Sequence, residues 1–128
     1  MDVTIHGICI ENKQLLMVQK GKWYILPGGK REEGELDKKC LQREVKEELS
    51  GSEIFVGNYY KTFFGITPNS RKPLISKNYF IYFKDNIGNP SAEISCKKFV
   101  TSKNKSFLDL TEISLKVLDS LIKEGLVN

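Results

Sequence analysis

Apolar and polar residues alternate loosely along residues 3–10, where β-branched side chains are frequent, and this pattern predicts a strand. The polar triplet Glu11, Asn12 and Lys13 predicts a hairpin turn into a second strand over residues 14–19. A short apolar segment over residues 23–26 stops at Pro27, Gly28 and Gly29, which read as a tight turn that uses glycine's backbone freedom. The period then changes. Leu41, Val45 and Leu49 recur at every fourth position, so residues 36–49 are expected to form a helix with one apolar stripe. Leu36 and Cys40 fall well around from that stripe, which predicts packing on two sides. Ser50 and Gly51 end the helix.

The second half is richer in strands. Residues 53–64 and 78–83 are β-rich and aromatic, with a loop at 67–73 between them. Residues 85–91 carry turn residues, and residues 94–100 predict a last strand. A second helix is expected over residues 111–124, with Ile113, Val117, Leu118, Leu121 and Ile122 facing inward. Strands on both sides of one helix, closed by another, give an α/β or α+β fold with a mixed sheet, here one domain over residues 1–128.

Composition narrows the class. With 128 residues, 40% hydrophobic and 28% charged, the chain has the balance of a soluble globular protein and enough length for one core. Three widely spaced cysteines, Cys9, Cys40 and Cys96, form neither a disulfide framework nor a zinc pattern. No run approaches membrane-spanning length, and the N-terminus lacks a signal peptide's order, so a cytoplasmic protein is expected. The net charge of +4 is uneven: residues 29–51 carry six basic and seven acidic groups. A basic body around an acidic pocket suits an anionic substrate. No basic stripe interleaved with aromatics points to specific nucleic-acid binding.

The acidic helix carries the chemistry. At about 100° per residue, Glu48 lies near −60°, Glu44 near −100° and Glu47 near −160° from Val45. Three carboxylates thus share an arc of about 100° beside the apolar stripe. Like charges at i,i+4 repel, as Glu44 and Glu48 must. Lys38, Lys39 and Lys46 could relieve the repulsion on a plain solvated face. Hard divalent cations relieve it too, because they take oxygen ligands and leave positions for phosphate.

From Gly29 the chain then reads as glycine, five residues, Glu35, seven residues, Arg43-Glu44-Val45, one residue, Glu47-Glu48. This pattern resembles the Nudix box, and the approach Trp23 to Gly28 is similar as well. Ser50 stands where the box has its last glycine. The resemblance implies an α/β/α sandwich and hydrolysis of a nucleoside diphosphate linked to a group X, with Mg²⁺ or Mn²⁺. It implies metal binding by Glu44, Glu47, Glu48 and the Gly28 carbonyl, with Glu35 and Arg43 as an ion-paired brace. Glu44 and Glu47 are the catalytic candidates, Glu44 being the first choice of base. Glu93 or Asp85, from later loops, are alternative bases. Lys30, Lys20, Lys22 or Arg31 would steady outer phosphates. Tyr24, Tyr59, Phe80 and Asn78 are candidates for meeting the base, although strand aromatics are more often core. The lone His6 receives no catalytic role. A nucleoside triphosphate is the leading substrate. ADP-ribose, dinucleoside polyphosphates and RNA 5′ ends remain open, as do a non-hydrolytic nucleotide sensor and a homodimer.

Overall fold

Strand β1, Asp2–Ile8, is joined through the short β2, Ile10–Glu11, to β3, Gln14–Lys20, and β4, Trp23–Ile25, in a computed structural model that describes residues 1–128. Strand β5, Gly28–Lys30, helix α1, Asp37–Glu48, and strands β6, Ile54–Ile66, β7, Pro73–Phe83, and β8, Ile94–Val100, follow. A 3₁₀ turn at Lys105–Phe107 leads to helix α2, Glu112–Lys123. One sheet has the order β5-β1-β7-β6; in the other, β3 pairs with β2, β4 and β8. The β1–β7 pair is parallel and its neighbours are antiparallel, so the sheet is mixed.

The layering follows from where side chains alternate. Leu15, Leu16, Met17 and Val18 of β3 are all fully buried, because alternate residues enter different cores. Leu16 and Val18 join Ile5, Ile54, Ile81 and Ile94 against Cys40, Leu41, Val45 and Leu49 of the α1 region. Leu15 and Met17 join Ile8, Leu26 and Val100 against Ile113, Val117, Leu118 and Leu121 of α2. Burying each such side chain stabilises by about 2 kcal/mol, so a strand clad on two faces overrides any polar alternation. The result is an α/β/α sandwich. Neither helix is long and apolar enough to cross a membrane.

Several sequence expectations need correction. Leu36 is 70% exposed and only caps the helix, so α1 has a single packed side, which does include Cys40. Residues 28–30 form a strand that pairs antiparallel with β1, not a mere turn. Their missing pattern is simple: two of the three have no side chain. Strand β7 also begins earlier than residue 78, at Pro73, and holds Leu74 to Lys77 beside β1.

Candidate active site

A cavity of about 770 Å³ opens where β1, β4, β5, α1 and the start of α2 meet. Glu44, Glu47 and Glu48 line it together with Gly28, Gly29 and Lys30. Lys20, Lys22 and Glu93 line it too. The expected metal-binding row, glycines and lysines are therefore brought to one place.

The backbone explains how the acids come so close to β5. Gly28 has φ +141°, a conformation side chains resist, and an added Cβ would strike the β1 backbone at Ile5 and His6. A Cβ on Gly29 would run into the Glu44 carboxylate. Glycine at both positions lets helix and strand approach. The Gly28 N–H donates to Glu48 Oε1 at 2.9 Å.

The three glutamates differ in environment. Glu48 is buried, and desolvation pushes its pKa up to about 8 against the opposing Gly28 N–H. Glu44 is half-buried; burial raises its pKa, while Arg43 works the other way. Glu47 is exposed and joins no ion pair. Arg43 holds Glu35 through Nε at 2.8 Å and Nη2 at 2.9 Å, and its Nη1 donates to Glu44 Oε1 at 2.9 Å. The Arg43 fork drives the Glu35 carboxyl down to about 2. The Glu35–Arg43 pair thus orients Glu44 directly. None of Lys38, Lys39 and Lys46 pairs with the acidic row.

Both ends of α1 are tied down. At the N-terminus, Asp37 is paired with Arg31 and Lys77 and accepts from the Tyr79 hydroxyl. Burial works to raise its pKa, but these three partners overrule it and the net shift is downward. At the C-terminus, Ser91 N–H donates to Glu48 O at 2.9 Å, Ser91 Oγ donates to Glu47 O, and Ser50 N–H donates to Ser91 Oγ at 3.0 Å. Ser50, with φ 21°, and Gly51, with φ 75°, complete the exit. The serine in the box's last glycine position is accommodated this way.

No three acidic, histidine or cysteine side chains converge tightly enough to enclose a cation on their own. The donor chemistry nonetheless fits a hard divalent cation. Oxygen donors line an open cavity, and magnesium ordinarily takes one or two carboxylates and completes its shell with waters and substrate phosphates.

Other candidates are placed differently. Lys30 lines the cavity and pairs with Asp2 at 3.2 Å, and Glu93 lines it and pairs with Lys20 at 2.9 Å. Asp85 lies in a second cavity with Cys9, Phe83 and Lys98, away from the acidic row, because the β7 end carries it there. Tyr24 packs in the α2-side core with its hydroxyl 3.9 Å from Cys96 Sγ. Phe80 packs against the same core, edge-on to Tyr60, and Tyr59 packs on Tyr79. Asn78 is fully buried. None of these four lines the acidic cavity. Conversely, His6, Thr4, Trp23 and Ile25 line it without having been singled out as contacts. The strand period could have shown that Thr4 and His6 share a face; nothing in the sequence shows which face is open.

A family model described as the NUDIX domain matches residues 2–120. No curated protein sequence matches the chain. Among solved structures, a nudix hydrolase family member from Chromobacterium violaceum is 24% identical, with a TM-score of 0.70, covering 96% of this chain and 77% of that one. A MutT protein from Methanosarcina mazei is 16% identical, with a TM-score of 0.79 and coverage of 97% and 94%. An ADP-ribose pyrophosphatase from Streptococcus suis is 17% identical, with a TM-score of 0.69 and coverage of 93% and 90%. Nudix hydrolases generally use divalent metal ions. The match leaves out only Met1 and the last eight residues, and the chain belongs to the Nudix hydrolase family, as a pyrophosphohydrolase.

Proposed function

We propose that the protein hydrolyses the diphosphate linkage of a nucleoside diphosphate carrying a further group, most simply a nucleoside triphosphate, with Mg²⁺ or Mn²⁺. One observation carries this reading: Glu44, Glu47 and Glu48, the glycines Gly28 and Gly29, and Lys20, Lys22 and Lys30 line a single cavity. Glu44, Glu47 and Glu48, with Gly28, would hold the cation. A divalent cation there supplies charge neutralisation and a more acidic bound water.

The remaining chemistry belongs to the chain's own residues. Glu44, oriented by Arg43, takes the proton of the attacking water. The water oxygen bonds to one phosphorus, the bridging P–O bond breaks, and the bridging oxygen leaves on the second phosphate. Lys20, Lys22 and Lys30 offset the charge of the outer phosphates. Glu93 is the second choice of base, since it shares the cavity. Asp85 is set aside because it lines the other one.

The test is turnover of a panel of NTPs, dNTPs, ADP-ribose and dinucleoside polyphosphates with Mg²⁺. Hydrolysis should vanish in EDTA and in Glu47→Gln. Equal turnover in either case would remove the metal reading, and silence on every compound would favour a nucleotide sensor.

A further inference from the structure

His6 stands in the same cavity but belongs to a different set of groups. Its Nδ1 lies 2.7 Å from Ser76 Oγ on the neighbouring strand β7. Beyond Ser76 is Asn78, whose Nδ2 reaches Lys61 O at 3.2 Å and Ser76 O and Oγ at 3.1 Å. His6, Ser76 and Asn78 are all buried.

Donor and acceptor counting fixes the direction of the chain. The two backbone carbonyls accept only, so the atom of Asn78 that faces them must be its NH₂. That NH₂ also faces Ser76 Oγ, and a donor meets only a lone pair. The Ser76 hydroxyl hydrogen must therefore point elsewhere, and its available acceptor is His6 Nδ1. An imidazole that accepts at Nδ1 carries its proton on Nε2. Nε2 has no protein partner. The only fully enclosed side-chain polar atom without a partner is Asn78 Oδ1, so His6 Nε2 is not sealed off, and His6 lines the cavity.

The surroundings say what that donor would meet. Ile25, Leu74 and Ile113 supply apolar walls to the cavity. Phosphate would be served by the lysines. A neutral donor in a cavity that also offers apolar wall suits an uncharged, flat group with an acceptor edge. We propose that His6, locked as an Nε2–H donor by Ser76, hydrogen-bonds a carbonyl oxygen or ring nitrogen of the substrate's nucleobase and so selects for the base. This rests on the nucleotide reading above and extends it to specificity.

The decisive measurement is ¹⁵N NMR of the His6 ring in the wild-type protein with Mg²⁺. The free protein should show the proton on Nε2. Non-hydrolysable α,β-methylene nucleotides should shift Nε2, with one base shifting it most, whereas inorganic tripolyphosphate should leave it in place. A proton on Nδ1, or equal shifts with tripolyphosphate, overturns the proposal. Nucleotide-induced shifts without turnover of any substrate keep the His6 assignment and defeat hydrolysis instead.

Kinetics give a second arm. In His6→Leu the KM for the preferred nucleotide should rise about tenfold at unchanged kcat, the scale of one lost neutral hydrogen bond. His6→Gln, which returns an N–H close to the Nε2 position, should recover most of that loss. Equal KM in His6→Leu and wild type, with thermal unfolding showing the variant folded, overturns the assignment.

Discussion

The two ends of α1 hold carboxylates with opposite electrical circumstances. Asp37 has two cations and a tyrosine hydroxyl, and its pKa falls despite burial. Glu48, one helix length away, has a single backbone N–H, and burial lifts its pKa to about 8. The same helix therefore carries one acid that is complete within the protein and one that is not. Asp37 is an anchor whose needs are met on folding. Glu48 is kept in a state that a bound cation would relieve, at a cost to the metal-free fold.

The largest break in this contrast comes at Glu48. Glu48→Gln should lower kcat about a thousandfold, the scale of losing several kcal/mol of transition-state charge stabilisation. In EDTA the same variant should gain stability at alkaline pH. A raised folded pKa means that stability is complete below the ordinary carboxyl value and is lost as pH rises through about 8. The wild-type loss should be on the order of a few kcal/mol, and Gln, which cannot ionise, should escape it. Urea unfolding at pH 6 and pH 9 measures the difference; identical pH dependence in the two proteins would contradict the assignment.

Glu35→Gln should have an intermediate effect, lowering activity by about tenfold by loosening Arg43 and through it Glu44. Here the sign is reversed. A depressed folded pKa gives stability that is present above the ordinary value and lost as pH falls toward about 2, so acid unfolding of the variant should lose that component. Acid titration followed by circular dichroism checks it.

Asp37→Asn should change activity least, by less than tenfold, yet cost about 2 kcal/mol of stability. The figure sits below that for a deeply buried pair because Arg31 and Lys77 are each about one-third exposed. A large catalytic defect with unaltered stability would erase the distinction between the two helix ends.

How much of this could be read without coordinates depended on where side chains carry the pattern. The four-residue recurrence of Leu41, Val45 and Leu49 locates the helix, and the helical angle puts Glu44, Glu47 and Glu48 on one arc; all three indeed line one cavity. Strand β5 was illegible because Gly28 and Gly29 offer no apolar signal, and its pairing is made by backbone alone. Leu36 looked like a core residue, but the chain enters the helix there with the side chain outward. Tyr24, Asn78 and Phe80 have the chemistry of base recognition, yet β4 and β7 turn them into the interior. His6 receives no role from the sequence for the opposite reason. A histidine in an apolar strand looks like filler until Ser76, 70 positions away, is brought beside it.

That separation has a consequence for how the chain is made. β1 is synthesised well before β7, yet β7 is one of its two neighbours in the sheet. Until β7 leaves the ribosome, the first strand exposes an unpaired edge, and closing so long a span carries an entropic cost that local hairpins avoid. The acidic helix and the glycine strand emerge well before then. The chemistry-bearing half of the protein therefore waits, tethered but incomplete, for a later segment to lock it into register.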